Sequence, residues 1–137
     1  MNRNYSDDNI KDLLVLDEIY ELERLIKHKE KIDSALLNLE IDIIESALMY
    51  KKGCYKESRY IDSYRAYSIL LKGAKDTNEL SVEEYGNKVK KDIDKIKYSN
   101  NGNTNYLIIF LKYLIEEFTK VKDLNCDKGE SKLYGLL

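Results

Sequence analysis

The chain contains no proline and no tryptophan. Without proline, every residue keeps its backbone N–H and none collides with the preceding turn, so long uninterrupted helices are allowed. Histidine occurs once and cysteine twice. Cys54 and Cys126 lie far apart and in no CxxC pair, too few ligands for a structural zinc site and better read as two reduced thiols of a cytosolic chain. Charge of one sign is also missing. The 23 basic and 25 acidic residues are interspersed and leave a net charge of −2, unlike the one-signed face usual in nucleic-acid binders. The longest apolar run, "YLIIFLKYLI", is interrupted by Lys112 and falls well short of the about 20 residues that span a bilayer. The opening "MNRNYSDDNIKD" is polar where a signal peptide carries its apolar segment. The expected setting is therefore cytoplasmic, in the producing or a host cell, with no membrane span.

What is present is helical in character. Apolar residues make up 43% and charged residues 35% of 137 positions, the balance of one soluble domain. A chain of this length buries roughly two thirds of its unfolded surface and needs no metal or disulfide to hold it. Tyrosine dominates the aromatics, twelve against two phenylalanines; its polar tip suits half-buried positions and interfaces alike.

Periodicity predicts an all-α, single-domain bundle of about five helices over 1–137, with 124–137 a flexible or docking tail. Ser6 is placed to cap the first helix, and Val15, Ile19, Leu22 and Ile26 form its stripe. The phase slips across "KHKEK", residues 27–31, which favours a break with Asp33 or Ser34 capping the next helix over a continuous helix with a stammer. Residues 34–50 carry two apolar stripes, Leu36, Leu39, Ile43, Ala47, Tyr50 and Leu37, Ile41, Ile44, Leu48, as expected of a central helix. Lys51, Lys52 and Gly53 then terminate it. A third helix is expected from about Glu57 to Lys72, stopped by Gly73. Ser81 and Glu84 form a capping box for a fourth, with Val82, Tyr85, Val89, Ile93 and Ile96 inward and a lysine-rich outer face. "SNNGNTN", 99–105, is a loop. The fifth helix starts near Thr104 or Asn105 and runs to about Asp123, with Leu107, Leu111, Leu114, Phe118 and Val121 inward.

Chemistry-bearing constellations are sparse. His28 lies among lysines with no nucleophile or orienting carboxylate assigned to it. The arginine–histidine spacing of HEPN-type ribonucleases is not met, since three residues separate Arg24 from His28. Glu40 with Glu45, and Glu116 with Glu117, read as solvated polar faces, because di-iron bundles need Glu-x-x-His pairs that this chain cannot supply. No phosphate-binding glycine loop or nucleophile elbow occurs. No catalytic, cofactor or metal residue is therefore assigned, and no enzymatic activity is expected.

Two features point to binding instead. In "CYKESRYIDSYRAYSILLKG", Tyr60, Tyr64, Tyr67 and Leu71 recur at helical spacing, which reads first as a core-facing stripe and second as a partner-binding face rich in Tyr and Arg. Arg65 points away from that stripe and Arg59 lies at its border. The candidate protein-binding residues are Tyr55, Arg59, Tyr60, Tyr64, Arg65 and Tyr67. The candidate anion contacts are Lys88, Lys90, Lys91 and Lys95, interrupted by Asp92 and Asp94.

"NYSDDNIKDLLVLDEI" and "NTNYLIIFLKYLIEEF" are loosely similar to helices of poxviral Bcl-2-like inhibitors. The likeness covers under a third of the chain, rests on generic aliphatic patterns and lacks a Gly-Arg groove motif, so it assigns no family. The bias towards Lys, Asn, Ile and Tyr fits an AT-rich genome, as of a low-GC bacterium, a phage or a virus.

The expectation is a small non-enzymatic protein that binds another protein as an inhibitor, immunity or adaptor factor, or that forms a homo-oligomer such as a dimer. The alternative is a nucleic-acid-associated accessory protein of phage or mobile-element type, touching phosphate through residues 88–97.

Overall fold

The structure is a computed structural model. It describes residues 7–54, 56, 58–98 and 103–128, with side chains between 12 and 120 of those spans. Among the described residues there are five helices and no strand: α1 (Asp7–His28), α2 (Ser34–Lys51), α3 (Ser63–Asp76), α4 (Val82–Tyr98) and α5 (Asn105–Lys128). The chain is an all-α bundle. The expected Ser6 cap, the loop at 99–102 and the end of the tail lie outside the described residues.

Helix ends follow local chemistry. α1 stops within the phase slip, where Lys29 takes a left-handed φ of 59°. The Glu30 N–H reaches the Leu25 carbonyl at 3.0 Å and the Lys29 N–H reaches Ile26 at 3.2 Å, the paired pattern of a Schellman motif. A lysine occupies the place usually taken by glycine. The Asp33 side chain then accepts from the Ala35 N–H and caps α2, so the break is real. α2 ends in the same motif built on Gly53, whose φ of 79° suits a residue without Cβ. The capping box of α4 is reciprocal: Ser81 N–H donates to Glu84 and Glu84 N–H donates to Ser81 Oγ, both at 3.1 Å. These bonds hold the exposed Glu84 carboxyl below its usual range.

α2 packs against α1, α3 and α4, and α5 packs against α1, α3 and α4. Leu37, Leu39, Ile43, Ile44 and Ala47 of α2 are fully buried, while Leu36, Ile41 and Leu48 lean on the same core. Both stripes of α2 are thus used. The inward stripes of α1 and α4 are buried as their spacing predicts, and so are Leu107, Leu111, Leu114 and Phe118 of α5.

α3 differs from expectation in both its ends and its orientation. It begins at Ser63, because the Asp62 side chain accepts from the Arg65 N–H at 2.9 Å and caps it there. It does not stop at Gly73 but continues to Asp76, and Gly73 is a packing position. A Cβ at Gly73 would collide with the ring of Tyr85. Small residues (Ala66, Gly73 and Ala74) combine with Ile69 and Leu70 to form the buried face. Tyr85 fills the space they leave, and its hydroxyl donates to the Tyr106 carbonyl at 3.0 Å. Burial drives the phenol's pKa strongly upward.

The N-terminus of α5 is capped from a distance. Buried Asp92, expected on the solvated face of α4, accepts from the backbone N–H groups of Tyr106 and Leu107, both at 3.0 Å. Burial raises its carboxyl pKa, and these donors with Lys95 oppose that rise.

Gly73→Ala should destabilise the fold by about 1–3 kcal/mol in chemical denaturation, overriding the usual helix preference for alanine. Combined with Tyr85→Leu, its effect should be less than additive, because the second change removes the colliding ring.

Candidate functional site

The segment joining α2 to α3 is tied to the outer side of α2 by polar residues of the central helix. Asp42 accepts from Ser58 Oγ at 2.7 Å and from the Arg59 N–H at 3.0 Å. Ser46 donates its hydroxyl to the Lys56 carbonyl at 2.8 Å, and the Lys56 ammonium reaches Glu45 at 3.2 Å and Asp42 at 3.6 Å. Partial burial opposes charge on Asp42, yet the Ser58 hydroxyl, the Arg59 N–H and Lys56 outweigh it and hold the carboxyl below its usual range. Asp42 and Glu45 of α2 are therefore structural anchors. They seat buried Ile61 and half-buried Tyr60 against the core and deliver the chain to the Asp62 cap.

This anchoring determines where the candidate residues fall. Tyr60 precedes α3 and is not on its helical stripe. Of the expected core-facing stripe, Tyr60, Tyr67 and Leu71 are partly buried against the core, but Tyr64 is 62% exposed and leaves it. The inward face is the opposite one, carrying Ile69. Aromatic size misleads here, because alanine and glycine permit the closer approach of α4. Tyr67 is half-buried and packs its ring 5.3 Å from that of Tyr50, while Tyr64 meets Tyr50 edge-on at 5.9 Å. The result is a three-ring surface cluster at the junction of α2 and α3, with Tyr50 41% exposed. Tyr50 had no site role in the sequence reading; only folding brings it beside residues 64 and 67.

The arginines separate. Arg59 is exposed with its guanidinium 6.0 Å from the Tyr60 ring centroid. Arg65, expected to look outward, turns to α5: its Nε donates to Glu117 at 2.8 Å and its guanidinium lies 5.7 Å from the Phe118 ring centroid. Arg65 thus joins helices and leaves the binding face. Tyr55 lies outside the described residues.

The lysines proposed for an anion do not form one free cluster. Lys88 sits 5.3 Å from the Tyr106 ring centroid, Lys90 is 4.0 Å from Glu45, and Lys95 is 3.9 Å from Asp92; Lys91 is exposed. Exposed cations without an ion pair among the described residues also stand elsewhere, at Lys29, Lys31 and Lys112 and, nearer α3, at Lys52, Arg59, Lys72 and Lys75. A signal for two of them was present in the sequence, since positions 63–75 contain no acidic residue.

The carboxylates read as solvated divide. Glu116 is exposed, Glu45 and Glu117 hold cations, and Glu40 is completely buried. Neither oxygen of Glu40 has a hydrogen-bond partner. Desolvation, with a smaller contribution from Glu18, pushes its carboxyl well above the usual range. No group of three or more His, Cys, Asp or Glu suited to a metal occurs among the described residues. Compared with known proteins, the chain matches no family model, no curated protein and no solved structure.

Tyr64→Ala should change stability by no more than about 0.5 kcal/mol. Arg65→Ala, which leaves Glu117 with only the more distant Lys120 at 4.0 Å, should cost about 1–3 kcal/mol in the same denaturation assay. For Glu40 the folded state keeps a proton that the unfolded chain releases, so its contribution makes stability fall as pH rises above the ordinary carboxylate range. Glu40→Met should remove that slope and raise stability at pH 7 by about 1–3 kcal/mol, read as denaturation midpoints across pH.

Proposed function

We propose that this is a small non-enzymatic protein-binding protein, of the inhibitor, immunity or adaptor kind, acting through the outer face of α3 and the adjoining end of α2. The observation that carries this reading is the surface cluster of Tyr50, Tyr64 and Tyr67, in which the first two rings are exposed and the third is half-buried beneath them. Tyrosine offers a large amphipathic contact area with few rotors to immobilise, and exposed aromatic clusters beside arginine are where binding energy concentrates. The face is also preorganised. Asp42, Ser58 and the Asp62 cap hold its entry, and the Arg65–Glu117 pair clamps its helix to α5. Rigid presentation lowers the ordering cost of association.

The test is site-specific photo-crosslinking in the cell that expresses the protein. A benzophenone amino acid at position 64 should yield a discrete protein adduct that disappears when Tyr50 and Tyr67 are replaced by alanine. The same label at position 91, on the outer side of α4, should yield none. Adducts at 91 but not at 64, or adducts to nucleic acid, would count against the assignment.

A further inference from the structure

The chemistry around the tyrosine cluster selects among partners. From Ser63 to Lys75 α3 carries no carboxylate. Its buried residues, Ala66, Ile69, Leu70, Gly73 and Ala74, occupy one side. Helical geometry then places Tyr64, Ser68, Leu71 and Lys75 in line on the other, with Lys72 beside them. Tyr67 turns towards α2, as its contact with Tyr50 shows, and Arg65 turns towards α5.

Several carboxylates near this face are engaged, while Glu79, just beyond α3, is exposed and has no ion pair among the described residues. Asp62 caps α3, Asp76 accepts the Tyr113 hydroxyl, Asp42 and Glu45 hold the α2–α3 connection, and Glu83 pairs with Lys51. Lys72 and Lys75 at one end, and Lys52 and Arg59 towards the other, are left without an ion pair among the described residues. The face itself, from Tyr64 to Lys75, therefore sets two cations and no carboxylate beside its apolar side chains, with Asp62, Asp76 and Glu79 lying beyond its ends.

We infer that this face takes an acidic segment of a partner protein, with carboxylates over the lysine and arginine ends and an aromatic or aliphatic side chain between them over Tyr64 and Leu71. The inference rests on the protein-binding reading above and specifies its partner. The two ends of the face are roughly 16 Å apart along α3, the length of about eleven helical residues, so a segment of about a dozen residues covers it. Complementary charge supplies orientation and rate, and the apolar centre supplies affinity. A single-stranded nucleic acid fits less well. Tyr50 and Tyr64 meet at 70° and offer no parallel platform for successive bases, and four dispersed cations neutralise few phosphates.

A display library of random twelve-residue peptides, selected on the full chain, tests this. Enriched sequences should place two or more Asp or Glu beside Leu, Phe or Trp. Their binding should weaken about tenfold in Lys72→Glu/Lys75→Glu, weaken in Tyr64→Ala, and fall as salt is raised about fivefold. Circular dichroism should show both variants folded, since all three side chains are exposed. Neutral or basic peptides that bind and are lost in Tyr64→Ala would overturn the acidic assignment while leaving the protein-binding reading intact. Peptides indifferent to Tyr64→Ala, an empty selection, or tighter binding of a twelve-residue oligothymidylate would overturn both.

Discussion

The ring of Tyr85 lying against Gly73 is the contact on which the arrangement of this bundle turns. It requires a helix face without Cβ at the point of closest approach, and α3 offers one in Gly73, flanked by Ala66 and Ala74. Once that face is turned to α4, Tyr64 on the other side of α3 is left outward, while Tyr67 and Leu71 reach the core only at its margin. The hydroxyl of the same tyrosine binds the Tyr106 carbonyl in the first turn of α5, so one side chain ties three helices together. The exposure of Tyr64 follows from the packing of Tyr85 and is not a local preference of the tyrosine.

Buried carboxyl groups show two outcomes of the same desolvation. Asp92 sits where two backbone N–H groups of α5 need an acceptor, and its charge is matched by the donor end of that helix. Glu40 meets no donor and carries an elevated pKa as a neutral group. A buried acid without a partner costs stability and adds no contact that methionine could not make. Perturbed acids cluster at functional sites, but the surface hollows at Ile26–Ile108 and around Lys31–Tyr98 do not include Glu40. Fully buried and without a hydrogen-bond partner, it bears on stability and pH response.

That surface draws its character from a division of labour among charges. α2 spends Asp42 and Glu45 on the connection beside it, and Arg65 is spent on Glu117. Between Ser63 and Lys75 what is left unpaired on α3 is positive, and the carboxylates Asp62 and Asp76 stand at its two ends. The lysines of α4 look richer in the sequence, yet three of the four candidates meet a ring or a carboxylate once the chain folds.

Much of the fold was legible beforehand because it depends on neighbours in sequence. The stripes of α1, α4 and α5, the capping box at Ser81, the Asp33 cap and the Gly53 terminus each involve residues within a turn or two of one another. The absence of proline and the paired stripes of α2 likewise settled an all-α bundle with a central helix. Contacts between distant residues were decided only by tertiary structure: Asp42 with Ser58, Arg65 with Glu117, Asp92 with the start of α5, and Tyr50 with Tyr64. α3 shows why. Its sequence has an aromatic face and a small-residue face, both apolar enough to be buried, and periodicity alone cannot rank them. The ring of Tyr85 ranks them, because only the face without bulk at Gly73 can receive it.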